Sequence, residues 1–323
     1  MTQVPGMAGR FVSRIRRDGL GEALRDAGRR LLVDEAEFLP LRRADPAGLF
    51  ATDVHAIHER EKSQIRASSL LFDASQVEAS YPLVFESQGR LLRHAFLPAT
   101  GQSRGLVVLF HGHNAFLHFG PARPWRDFDV LAPWDTFGWR RQGSWFWGEK
   151  GDDFVAHMIA ALIESRRRGD AGRPWFCMGS SMGGFGALYH GLALGCDGIY
   201  VMCPQVDLRA KINDFGGRRD ENPYATLAGD DPKRVPDLVA MAETRPSLPP
   251  LYLIQNQYDH VNPFAGHGLR LVEVYNRRGA WCGLRVHPSI GHGGDGSQSE
   301  AELYFSLILD RRISSAARAQ GPS

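Results

Sequence analysis

The run Trp175-Phe176-Cys177-Met178 is continuous and apolar, and it breaks at Gly179-Ser180. A short, aromatic-rich run of this kind reads as a strand buried on both faces. The chain restarts at Phe185-Gly186-Ala187-Leu188-Tyr189, a composition that suits a helix. Ser181 stands at the break, with Gly179 and Gly183 two residues to either side. Gly-x-Ser-x-Gly at a strand-to-helix turn has a steric cause. A turn this sharp presses strand and helix backbones together, and side chains at 179 and 183 would collide. The turn also lifts the Ser181 hydroxyl above the sheet and aims the first helical N–H groups at the same point. With 36 glycines in the chain the pentapeptide alone is a weak signal, so the flanking segments decide its meaning.

Those segments follow one rhythm. Tyr81–Glu86 and Leu91–Leu97, separated by Ser87-Gln88-Gly89-Arg90, predict an antiparallel hairpin. Leu106–Phe110 is another continuous apolar run, and it ends in His111-Gly112-His113-Asn114. Asp129–Pro133, Gly198–Cys203, Leu251–Gln255 and Gly283–His287 predict further strands. Helical spacing appears in 152–168, where Phe154, Val155, Met158, Ile159, Leu162 and Ile163 share a face, and again in 269–277 and 300–313. Strands alternating with helices over about 200 residues predict an α/β fold with a mostly parallel, doubly wound sheet and helices on both faces. Residues 77–315 form the expected catalytic domain. Residues 204–249 lack strong periodicity and are rich in Pro, Gly, Asp and Arg, so they are expected to be an irregular cap insertion.

Three side chains fall just past the C-terminal ends of predicted parallel strands, where such sheets hold their ligands. They are Ser181, Asp259 and His292, in that chain order. A serine hydroxyl is a poor nucleophile until an imidazole takes its proton, and a carboxylate must fix that imidazole's tautomer. Backbone N–H groups of Met182 and of His113 or its neighbour Gly112 are the expected oxyanion donors. Rivals exist for each position. Ser180 adjoins Ser181 without the two-sided glycine flank; Asp207 also follows a strand; His260 and His287 are alternative bases. His287 falls inside a predicted strand and His260 beside the acid, which suits structural roles better.

Four of the seven tryptophans lie between 134 and 147. Indole faces stack on sugar rings, so Trp139, Trp145 and Trp147, with Asn114, are candidate substrate contacts. Burial in a satellite core is the usual fate of such rings, and the sequence leaves both readings open.

Residues 1–70 differ from the rest. Leu20, Leu24, Ala27 and Leu31 follow helical spacing, and the stretch 10–30 holds seven arginines against Asp18, Glu22 and Asp26. A helical N-terminal extension is expected, docked on the main domain or lying on an anionic membrane or acidic protein. Cys177, Cys196, Cys203 and Cys282 show no metal-ligand spacing and read as reduced packing residues, which points to a cytoplasmic location. No apolar run is long enough to cross a membrane, and no secretory leader is evident. A net charge of +2 does not point to nucleic acid, and no metal or cofactor is expected.

Residues 77–315 resemble an α/β-hydrolase-fold domain on the strength of Met178–Tyr189 and the Ser181, Asp259, His292 order. Within that superfamily, Met178–Tyr189 and Gly143-Ser144-Trp145-Phe146-Trp147-Gly148 are similar to bacterial glycan-modifying members: the carbohydrate O-acetyltransferase-like component of accessory secretion systems and α/β-hydrolase-like capsule biosynthesis proteins. The resemblance implies a serine esterase or O-acyltransferase working on an acyl ester, with a sugar hydroxyl as a possible acceptor. A non-catalytic scaffold of the same fold in a glycan-biosynthesis or secretion complex is the alternative. A dinucleotide site at Gly179-x-x-x-Gly183-Gly184 lacks the Gly-x-Gly-x-x-Gly spacing such a site needs.

Overall fold

The computed structural model describes residues 43–44, 80–113, 124–168, 170, 172–213, 222–259, 261–290, 292–294 and 296–319. The expected helical extension and Asn114 fall outside them, apart from a two-residue strand β1 (Arg43–Ala44). The hairpin forms as β2 (Leu83–Ser87) and β3 (Arg90–Leu97). Its two-residue turn places Gln88 and Gly89 at positive φ, the geometry that matches the twist of a tight hairpin. The sheet continues with β4 (Leu106–Phe110), β5 (Asp129–Trp134), β6 (Trp175–Ser180), β7 (Gly198–Met202), β8 (Leu251–Tyr258) and β9 (Cys282–Ile290). Strand order is β1-β2-β3-β5-β4-β6-β7-β8-β9, and β3 alone runs against its neighbours. This is the sheet of an α/β-hydrolase fold, as the sequence predicts.

The central strands read as unbroken apolar runs because both faces are covered. Val107, Val130, Phe176, Met178 and Tyr200 point to one face. There they pack on Ala301, Phe305 and Ile308 of the long C-terminal helix, Gln298–Ala319. The alternate residues Leu106, Val108, Leu131, Trp175, Cys177, Ile199 and Val201 join the larger core on the other face. That face carries α1 (Phe154–Arg167) and α2 (Met182–Leu194). Burying each large side chain stabilises the sheet by roughly 1.5–3 kcal/mol, so the period-2 alternation fixes the register on both sides at once.

The insertion is more regular than its sequence predicts. It contains α3 (Leu208–Asn213), α4 (Pro223–Ala228) and α5 (Leu238–Thr244). Helices of six or seven residues complete fewer than two turns, too short to show periodicity. Their start signals are nonetheless in the sequence. The Asn222 side chain accepts from Tyr224 N–H at 2.9 Å ahead of Pro223, and Asp237 accepts from Val239 N–H at 3.0 Å. Helix α5 packs against α2 and against α6 (Gly268–Arg277), with Leu238 and Ala242 fully buried. The segment around α5 therefore packs on the main layer, so 204–249 is not irregular throughout.

Candidate active site

Strand β6 ends at Ser180 and α2 begins at Met182, so Ser181 is the whole turn. Its φ of 55° and ψ of −115° are costly for a residue with a side chain, by about 1–3 kcal/mol. Three backbone bonds hold it there. Ser181 N–H donates to Met202 O at 2.9 Å, and Ser181 O accepts from Phe185 N–H at 3.1 Å and Gln205 N–H at 3.3 Å. The glycines act as the spacing requires. A Cβ at 179 would overlap the Gly183 carbonyl, and one at 183 would overlap the carbonyl oxygens of Phe110 and His111. The first turn of α2 is thereby seated against the end of β4, beside His111, Gly112 and His113.

The structure brings Ser181, Asp259 and His292 together. His292 Nε2 lies 2.8 Å from Ser181 Oγ, and His292 Nδ1 lies 2.8 Å from Asp259 Oδ2. An ionised carboxylate only accepts, so Nδ1 carries the proton and the Nε2 lone pair faces the hydroxyl. Asp259 Oδ1 accepts from Val261 N–H at 2.8 Å and Asn262 N–H at 2.9 Å. Burial pushes the Asp259 carboxyl up, but the bonds from His292, Asn262 and Val261 outweigh it and hold it below the usual carboxylate value. A carboxyl lowered on folding contributes stability that is present above its ordinary value of 3.8 and is lost as pH falls through its folded value. Asp259→Asn should therefore flatten the acid limb of the stability curve below about pH 4. Urea titrations between pH 3 and 5 test this, and an unchanged slope would refute it.

Met182 N–H, at the first position of α2, meets no acceptor among the described residues. The loop beside it is braced by a histidine that sequence reasoning passed over. His111 Nε2 accepts from Asp135 N–H at 3.0 Å, so Nδ1 bears the proton and donates to Gly112 O at 2.7 Å. Asp135, just past the end of β5, is a second missed residue. Its buried carboxylate accepts from Ser144 N–H and Phe146 N–H at 2.7 Å each, from Phe137 N–H at 3.2 Å and from the Ser144 hydroxyl at 3.0 Å. Burial pushes this carboxyl up to about 6 against the pull of those donors. The position of Asp135 at a strand's C-terminal edge was the available signal.

Two of the three candidate tryptophans resolve toward the core. Trp145 is 1% exposed and Trp147 is 4% exposed, so neither offers a free face for a sugar. The indole N–H of Trp145 donates to Gln205 Oε1, and Gln205 Nε2 donates to the Tyr224 hydroxyl at 2.8 Å. The Trp145 ring also lies 4.7 Å from that of Tyr224 and 5.3 Å from that of His113. Trp139 opens the short 3-10 turn Trp139–Arg141 and stays half-buried. Among the rivals, Asp207 is committed elsewhere: it accepts from Arg270 Nη1 at 2.6 Å and caps Ala210 N–H at 3.0 Å. His287 pairs within β9 opposite Asn256, and His260 lies outside the described residues. Ser180 points its hydroxyl at Cys203 Sγ, 3.5 Å away.

No family model matches the chain, and no curated protein matches it. Among solved structures, it is similar to the capsule O-acetyltransferase of Neisseria meningitidis serogroup A. That likeness has 17% identity, covers 72% of this chain and 94% of that one, and gives a TM-score of 0.48. Pyrococcus horikoshii acylaminoacyl peptidase is 15% identical over 70% of this chain and 40% of its own, at a TM-score of 0.49. Zea mays acyl-protein thioesterase 2 is 15% identical over 68% of this chain and 98% of its own, at 0.45. At this identity and these scores, none of them bears on what Ser181 does.

Proposed function

We propose that this α/β-hydrolase-fold chain is a serine esterase or O-acyltransferase that works through an acyl-Ser181 intermediate. One observation carries the reading: a single imidazole, His292, reaches the Ser181 hydroxyl with one nitrogen and the Asp259 carboxylate with the other, both at 2.8 Å. In the first half-reaction the Ser181 proton passes to His292 Nε2 as Oγ attacks the acyl carbonyl carbon. The Met182 N–H, with an N–H of the Gly112-His113 loop, receives the developing oxyanion; each such donor is worth about 3 kcal/mol. Collapse expels the alcohol, which takes the proton from Nε2. Water or a second hydroxyl then gives its proton to Nε2 and attacks the acyl carbon, and collapse returns that proton to Ser181 Oγ as it leaves. Asp259 keeps its own charge throughout and stabilises the imidazolium.

The acceptor remains part of the proposal. A carbohydrate hydroxyl rests on the resemblance of segments 178–189 and 143–148, since Trp145 and Trp147 are buried. A cytoplasmic location and a docking role for the basic N-terminal segment are likewise proposals. No described helix is long and apolar enough to cross a membrane. The test is direct. The protein is incubated with a short-chain p-nitrophenyl ester and with a fluorophosphonate probe, then with an acetyl donor and an oligosaccharide. Ester turnover with probe labelling supports the acyl-enzyme. Mass spectrometry separates the two outcomes, because an acetylated oligosaccharide means transfer and free acid alone means hydrolysis. Absence of both turnover and labelling refutes the reading.

A further inference from the structure

The acyl chemistry leaves one nucleophilic side chain beside the three unused. Cys203 follows β7 directly, is buried, and holds a φ of 38°. Its Sγ, one nitrogen of His292 and one carboxylate oxygen of Asp259 all lie within 4.8 Å of one another. Thiolate, imidazole and carboxylate are the ligand types that Zn²⁺ takes, and soft thiolate favours its heavier congener Cd²⁺. In a tetrahedral zinc site with bonds of about 2.0–2.3 Å, neighbouring ligand atoms stand about 3.3–3.8 Å apart. The three atoms therefore need to adjust by roughly an ångström.

Two of the ligands share one scaffold. Asn262 Nδ2 donates to Cys203 O at 2.9 Å, while Asn262 N–H donates to Asp259 Oδ1 at 2.9 Å. Cys203 N–H is fixed in turn on Ile254 O at 2.7 Å. Thiol and carboxylate are thus held in a set relation before any ion arrives. The third ligand supplies the way in, because the His292 side chain is 26% exposed. The charges also balance: one thiolate and one carboxylate neutralise a divalent cation, with neutral imidazole as the third donor.

We propose that a soft divalent cation, Zn²⁺ or Cd²⁺, binds Cys203 Sγ, Asp259 and His292, with solvent as the fourth ligand, and that this binding arrests the acyl chemistry. The metal–sulfur bond forms as the thiol proton leaves to solvent, and an ion taken at Nδ1 requires the ring proton to move to Nε2. Occupancy engages both the base and the carboxylate that orients it, and a chelator that removes the ion returns them.

The experiment titrates the full-length protein with Cd²⁺ and follows the ultraviolet thiolate-to-cadmium charge-transfer band, which needs no enzymatic activity to be read. One equivalent is expected to saturate the band. Cys203→Ser should abolish it, although Cys177, Cys196 and Cys282 remain in that variant. His292→Ala, changed on an exposed loop, should weaken Cd²⁺ binding by more than about tenfold; it keeps the test decisive if Cys203→Ser fails to fold. Zn²⁺ should inhibit wild-type ester turnover over the range in which it displaces Cd²⁺, reversibly with chelator. An absent band in the wild type, or the same affinity in wild type and His292→Ala, overturns the proposal. Neither result depends on whether Ser181 forms an acyl-enzyme.

Discussion

Ser181→Ala is expected to lower turnover of a short-chain aryl ester by roughly a million-fold and to abolish fluorophosphonate labelling. The size follows from how the three groups act. His292 Nε2 has one acceptor task at this site, which is the Ser181 proton, and without Oγ it has nothing to deprotonate. His292→Ala should therefore cost about as much as Ser181→Ala, and the double variant should be no worse than either. Asp259→Asn is expected to cost about ten-thousand-fold. An amide can donate to Nδ1, which would move the ring proton to Nε2 and turn the base away from its work. If the Ser181→Ala protein is labelled as strongly as wild type, Ser181 is not the nucleophile and the acyl-enzyme reading fails. A normal rate in His292→Ala would be equally damaging.

Asp135→Ala is expected to destabilise the protein by about 3 kcal/mol or more, a large share of the roughly 5–15 kcal/mol that holds a domain folded. The carboxylate satisfies three backbone N–H groups and the Ser144 hydroxyl in a site from which water is excluded. Alanine leaves those donors buried and unpaired, at about 1–3 kcal/mol each. The local backbone makes the loss worse, since Trp145 and Phe146 both hold positive φ, at 56° and 57°. Two consecutive residues with side chains stay in that region only when something pins them, and Asp135 pins Phe146 directly. The effect should reach the catalytic centre as well. Gly143 abuts the Met182 side chain, so a loosened 143–146 segment stops bracing the residue whose N–H is the proposed oxyanion donor. Asp135→Asn keeps one acceptor oxygen and should cost about half as much. Urea unfolding measures both variants, and a change below about 1 kcal/mol for Asp135→Ala would show that the donors find other partners.

The sheet was legible because its central strands are buried on both faces. Burial on both sides writes itself as unbroken runs such as Leu106–Phe110 and Trp175–Met178, and their shortness and flanking Gly and Pro set them apart from buried helices. The placement of the candidate site was legible for a related reason. In such a sheet, chemistry collects at the C-terminal strand ends, and Ser181, Asp259 and His292 each stand at one. What escaped was whatever depends on a third dimension. An indole looks the same in sequence whether it faces a ligand or, like Trp145, a glutamine and a tyrosine from two other segments. Asp135 and Cys203 also follow strands directly, but nothing local told whether their side chains point to the site, to a loop or to the core. The short helices within 204–249 were missed on length alone, although Asn222-Pro223 and Asp237 announced where α4 and α5 begin.

The hydrogen bonds from Trp145 through Gln205 to the Tyr224 hydroxyl join α4 to the interior at a buried point. Moving α4 away from Trp145 would break both bonds and leave the indole N–H and the Gln205 amide unpaired in a site closed to water. Helix α4 and the 143–148 segment therefore shift together or not at all.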